Sequence, residues 1–176
     1  MTNELTKDIA LANGKARYDA YCKRILANKS ILTWILKFTV SEFAEMTFSQ
    51  IRNCIDGDPE ISSERIEPGY TNSRITGEMN EDKIPDEGAV FFDIRFSVRI
   101  GEIHRQIKLI INIEAQKDFY PGYDIVTRGI FYGSRLISSQ LGTEFSYSHY
   151  DDIKKVYSIW ICMNAPATIG NAISKY

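Results

Sequence analysis

The sequence predicts an α/β domain built on a central mixed β-sheet, and three observations predict it. Apolar and polar residues alternate with period two over residues 89–116, broken by one short turn. Stretches of helical periodicity lie before and after that region. A nearly all-apolar, β-rich run over residues 155–164 closes the pattern. A strand, a helix and another strand in succession require a crossover, so at least one parallel pairing accompanies the antiparallel hairpin.

The elements follow in order. Residues 5–28 mix charged side chains with Ala, Leu, Ile and Tyr around a single glycine and predict a first helix. Residues 30–46 predict a second, with Ser30 as its N-cap and Ile31, Leu32, Ile35, Leu36, Phe38 and Phe43 as a broad apolar stripe. A shorter helical segment, residues 47–55, stops at Asp56-Gly57-Asp58-Pro59. Residues 58–88 hold Pro59, Pro68 and Pro85 with Gly69, Gly77 and Gly88, and predict an irregular acidic insert.

From Ala89 the period changes to two. Val90, Phe92, Ile94, Phe96, Val98 and Ile100 alternate with Asp93, Arg95, Ser97 and Arg99. Ile107, Leu109, Ile111, Ile113 and Ala115 alternate with Gln106, Lys108, Asn112, Glu114 and Gln116, and Ile110 breaks the rule. These are two half-buried strands of one hairpin, turning around residues 101–104. A helix over residues 123–141 follows Pro121-Gly122, with Asp124 in its first turn and Gly142 just past its end. The apolar run after it predicts a buried central strand.

Composition narrows the function classes. The chain has 176 residues, 44% of them hydrophobic and 25% charged, which suits a single folded domain with a sizeable core. No apolar run reaches the ~18–20 residues of a membrane span, and no secretory h-region opens the chain. Three scattered cysteines, Cys22, Cys54 and Cys162, suit reduced thiols in a cytoplasm. With only His104 and His149, a histidine-rich metal site is excluded, and both read as exposed loop residues. Any hydrolytic chemistry therefore rests on carboxylates. The net charge of −2 hides a gradient, because residues 58–88 alone carry −6 and the remainder is basic. No strongly basic nucleic-acid footprint stands out.

The two alternations set a register. Polar positions are odd on the first strand and even on the second, and a turn near residues 103–104 pairs positions that sum to 207. Asp93 then faces Glu114, Arg95 faces Asn112 and Arg99 faces Lys108. A one-residue slip would bury the whole polar set. Opposed residues have Cβ atoms about 4.5–5.5 Å apart. Two carboxylates at that spacing repel unless a proton or a cation joins them, and a hard cation fits.

The motif FFDIRFSV, then LIINIEAQKDFYPGYDIVTRGIFYGSRLISSQL, then DIKKVYSIWICMN resembles the PD-(D/E)XK nuclease superfamily. More closely it is similar to the branch of PD-(D/E)XK nuclease family transposases and recombination-promoting nucleases. The resemblance runs from about Ile31 to Ala172 and implies a restriction-endonuclease-like core of αβββαβ type, its mixed sheet flanked by helices. It implies that Asp93 and Glu114 hold Mg²⁺ or Mn²⁺, with Glu42 as an additional acid from the preceding helix. Gln116 stands where the superfamily has its lysine, as is usual in this branch. An amide brings no positive charge and no titratable base, but it can orient a water. Lys117 points to the opposite face, and Lys108 lies about 20 Å along the strand.

On the later helix Arg128, Tyr132 and Arg135 share one face, and the resemblance implies contacts to the scissile phosphate or to Glu114. The expected activity is metal-dependent DNA endonuclease chemistry tied to mobile elements or recombination. The expected partners are DNA and, as one option, a second copy in a homodimer, with no membrane. The alternative is a catalytically inactive nuclease fold that binds DNA or serves assembly. Family members commonly continue beyond the last strand, which makes a longer natural chain an expectation.

Overall fold

Helix boundaries here follow from where backbone donors find oxygen. The structure, a computed structural model, describes residues 15–57, 60–61, 81–84, 88–101 and 106–176. Helix α1 spans Lys15–Leu26, so the first ten residues of the expected 5–28 helix lie outside the described residues. Helix α2 spans Lys29–Thr39. Its N-cap is Asn28 rather than Ser30, because the Asn28 side chain accepts the Ser30 N–H at 3.0 Å. It ends seven residues before the expected Met46. Val40 turns extended, and Lys37 donates to the carbonyls of Ala44 and Met46 at 2.6 and 2.7 Å. Ser41–Phe43 is then a single 3-10 turn. Thr47 caps α3, Phe48–Cys54, in a reciprocal capping box with Gln50.

The expected irregular insert is partly regular. Strand β1, Glu60–Ile61, pairs with the later strand β4, Ile94–Ile100, and β2, Glu81–Ile84, forms an antiparallel pair with β3, Gly88–Phe91. The remainder of the insert, residues 58–59, 62–80 and 85–87, lies outside the described residues. The single strand expected from Ala89 is broken at Phe92–Asp93. The chain leaves the β2–β3 pair there and enters β4, Ile94–Ile100.

Strand β5, Ile107–Asp118, pairs antiparallel with β4, with Arg95 opposite Asn112 and Arg99 opposite Lys108. This is the register that sums to 207. Helix α4, Ile125–Ser138, then carries the chain across one face to β6, Lys155–Asn164, which runs parallel to β5. The main sheet has the order β1-β4-β5-β6 and is mixed, with helices on both faces. Strand β6 is thus an edge strand among the described residues, not the central one its sequence suggested. Its apolar run arises because both of its faces are covered. Tyr157, Ile159, Ile161 and Met163 pack on one side, and Val156 and Trp160 on the other.

Strand alternation divides the core in two. Ile94, Phe96, Val98, Leu109, Ile111 and Ile113 meet Leu26, Leu32, Leu36, Phe43 and Ile51 from the N-terminal helices. On the opposite face Ile110 joins Phe92, Tyr132 and Leu136 beneath α4. Ile110 breaks the alternation because its polar-face position is roofed by that helix. Phe92 reaches the same cluster because of the kink at Asp93.

Candidate active site

The face of the hairpin covered by α4 carries the acids. Strand β5 alternation aims Asn112 and Glu114 into it. Glu114 is 4% exposed and Asn112 fully buried. Asp93 follows the last ladder pair, Ile94 with Ile113, and completes the register by side-chain bonds. Its backbone N–H donates to Glu114 Oε1 at 3.1 Å, and its Oδ2 accepts the Ala115 N–H at 3.0 Å. Its Oδ1 receives the Lys23 ammonium from α1 at 2.9 Å. The two carboxylates expected to face each other are therefore adjacent.

Their chemistry differs. Burial, and then the Asp93 charge beside it, push the Glu114 carboxyl up to about 8, only partly offset by the Asp93 N–H and the Arg128 charge. Glu114 thus holds a proton near neutral pH unless a cation replaces it. Asn112 lies two residues back on the same strand face. Its amide approaches Glu114 without closing a hydrogen bond of normal geometry, and neither buried polar atom has another partner.

Helix α4 supplies the positive side. Asp124 caps it by accepting from Val126 N–H and Thr127 N–H at 2.8 and 3.3 Å, which anchors the first turn against the end of β5. One turn on, Arg128 donates to the hydroxyls of Tyr132, at 2.8 Å, and Tyr123. Its guanidinium carbon sits 5.2 Å from the Tyr123 ring centre, 5.0 Å from Tyr132 and 5.2 Å from Trp160. Trp160 pairs with Glu114 across the parallel ladder, so these rings stand next to the acids. Burial pushes the Tyr132 hydroxyl up, which keeps it a neutral group that accepts from Arg128.

The remaining expected site residues fall outside this cluster or at its margin. Gln116 continues the Glu114 face, but its amide donates to the Asp118 carbonyl at 2.9 Å, and its oxygen is 3.5 Å from the Tyr123 hydroxyl. Arg135 is 4% exposed, level with Leu136 and about 10 Å along the helix from Arg128. It is a buried side chain with partners inside the protein, not one presented to a substrate.

Glu42 is not brought to the acids. It lies on the 3-10 turn, bound by Lys155 at 2.8 Å, Tyr157 at 2.6 Å and Ser41 at 3.0 Å. Partial burial pushes its carboxyl up, but these donors outweigh that and hold it at about 2. Lys155 sits five ladder positions before Trp160, about 16 Å along β6, and Tyr157 faces the opposite layer. Lys108 pairs with Glu144. His149 is exposed and His104 lies outside the described residues.

Three neighbours escaped the sequence reading: Lys23, Tyr123 and Trp160. The Arg128–Tyr132 pair is visible as an i, i+4 spacing, whereas Tyr123 precedes the cap and Trp160 is placed only by the β5–β6 register. No local signal marks Lys23, since α1 reaches the acids by packing.

The donor set suits a hard cation. Two carboxylates and an unpaired buried amide oxygen are all-oxygen ligands. Among the described residues no group of three His, Cys, Asp or Glu converges. Mg²⁺ needs only one or two carboxylates, completing its shell with water and phosphate oxygens. Among the described residues no helix is long and apolar enough to cross a membrane. Compared with known proteins, the chain matches no family model, no curated protein and no solved structure.

Proposed function

We propose that the protein is a metal-dependent DNA endonuclease with a restriction-endonuclease-like core, hydrolysing phosphodiesters in mobile-element or recombination biology. The observation that carries this reading is the buried Glu114 carboxyl held against Asp93 at the end of a hairpin. A buried acid pair without a structural counter-charge on both members is costly. A site that binds a divalent cation and a phosphodiester accounts for that cost.

In this reading Asp93 and Glu114 hold Mg²⁺ or Mn²⁺, and the ion when bound supplies an acidified water and neutralises phosphate charge. Asp93 is oriented by the Ala115 N–H and Lys23. Glu114 is oriented by the Asp93 N–H and gives up its proton on loading. Arg128, held by two tyrosine hydroxyls, would stabilise the negative charge on the phosphoryl oxygens. Gln116 offers its amide to the attacking water.

Plasmid DNA incubated with Mg²⁺ or Mn²⁺ tests the reading. We expect nicking or linearisation by the native protein and a loss of at least 100-fold in Asp93→Ala and Glu114→Ala proteins that stay folded. No cleavage with any divalent ion removes the enzyme reading. One observation favours a second reading, an inactive DNA-binding or assembly module: Gln116 is turned to the Asp118 carbonyl, not freely displayed. Salt-sensitive DNA binding without cleavage supports that alternative.

A further inference from the structure

We propose that Lys23 is a built-in competitor for the cation site, an ammonium group that must leave Asp93 before a divalent ion loads. The inference rests on the reading of Asp93 and Glu114 as metal ligands and assigns a control element to that site.

Asp93 has two carboxylate oxygens. Oδ2 is committed to the Ala115 N–H, a bond that ties Asp93 to the end of β5. Oδ1 has no such backbone bond and is the more open oxygen for a cation, and Lys23 Nζ lies 2.9 Å from it. Both side chains are about four-fifths enclosed, at 16% and 17% exposure, so solvent screening is weaker than for a surface pair. A second cation on the same oxygen meets the ammonium at short range, and like charges at that distance repel strongly in a partly dry site. Loading then requires Lys23 to withdraw.

The other cations nearby have different commitments. Arg128 bonds to Tyr123 and Tyr132, and Arg95 lies over the Phe92 ring at 5.8 Å. Lys117 is exposed. Lys23 also arrives from a separate helix, α1, whose end is anchored in the core by Leu26. Its withdrawal is therefore a side-chain rotation, not a change in the strands that carry the acids.

The test measures Mn²⁺ affinity directly, by calorimetry or by loss of the free-ion paramagnetic signal, at pH 8 without DNA. The proteins are native, Lys23→Met, Lys23→Gln and Lys23→Arg, with Asp93→Asn as the non-binding control. Lys23→Met keeps the buried stem, and Lys23→Gln serves if Met impairs folding. We expect Mn²⁺ to bind about tenfold more tightly to Met or Gln variants, the amount one charge-assisted bond opposes. Lys23→Arg stays near the native value. Binding by the variants alone supports the proposal in its strongest form. Equal or weaker affinity in the variants, with the native protein binding normally, overturns the proposal and leaves the metal site standing. No binding by any of the proteins overturns both.

Discussion

Glu114 shows how one residue's environment sets a testable property of the protein. Its folded pKa of about 8 lies above the ordinary value of 4.5 because burial and Asp93 disfavour the charged form. Between those values the folded chain keeps a proton that the unfolded chain has lost. Stability from this group is therefore complete below about pH 4.5 and is lost as pH rises towards 8. Without divalent ions, Glu114→Gln should remove that loss, since an amide oxygen can still accept the Asp93 N–H. We expect the variant to gain on the order of 1–3 kcal/mol over the native protein at pH 8 and little at pH 4.5. Urea unfolding at the two pH values reads the difference, and an equal effect at both would contradict the pKa assignment. Glu42 works in the other direction, since its donors hold it at about 2, a contribution complete above about pH 4.5 and lost as pH falls towards 2.

At the scale of elements, α4 is the piece that turns a polar hairpin face into a site. It lies close over β6 because Gly129 has no side chain. A Cβ there would sit 3.2 Å from the Trp160 Nε1, which itself donates to Ser158 at 3.0 Å. At Gly133, one turn later, a Cβ would meet nothing within 4 Å. Alanine is the better helix former by about 1 kcal/mol. Gly133→Ala should therefore stabilise by about 0.5–1 kcal/mol, while Gly129→Ala should show no gain and disturb the Trp160 contact with Arg128. Chemical denaturation of the two variants tests this, and an equal gain at both positions would remove the close-approach argument.

Much of this element was legible in the sequence. Asp124, the Pro121-Gly122 turn and the apolar periodicity all mark α4, because caps and turns are local. The hairpin register was legible too, since alternation on two strands keeps Asp93 and Glu114 off the apolar face, and the short turn favours the sum of 207 over a two-residue slip that would set Glu114 diagonal to Asp93. The end of α2 at Thr39 was not legible. It depends on the long reach of Lys37 to the Ala44 and Met46 carbonyls. That termination moves Glu42 off the helical stripe and onto the far layer.

For the whole molecule, ligand binding and stability are linked. A divalent ion that binds the folded state alone should raise the unfolding midpoint, by about 2.7 kcal/mol of stability at one hundred times its dissociation constant. The effect should be larger at pH 8 than at pH 5, because loading displaces the Glu114 proton. Thermal unfolding with and without Mn²⁺ at both pH values measures it. Asp93→Asn should abolish the difference, and a pH-independent shift in the native protein would place the ion elsewhere.

The sequence by itself determined the α/β class, the hairpin and its register, and the presence of two acids at facing positions. These properties follow from short-range rules: side-chain period, turn chemistry and capping. Tertiary structure alone decided which acids meet and what surrounds them. It placed β6 at an edge among the described residues, carried Trp160 to Glu114 and Lys23 to Asp93, and left Glu42 with Lys155 and Tyr157. Those contacts join residues up to 115 positions apart. They depend on how helices settle over a sheet, a matter of burying both faces at once, which no local pattern encodes.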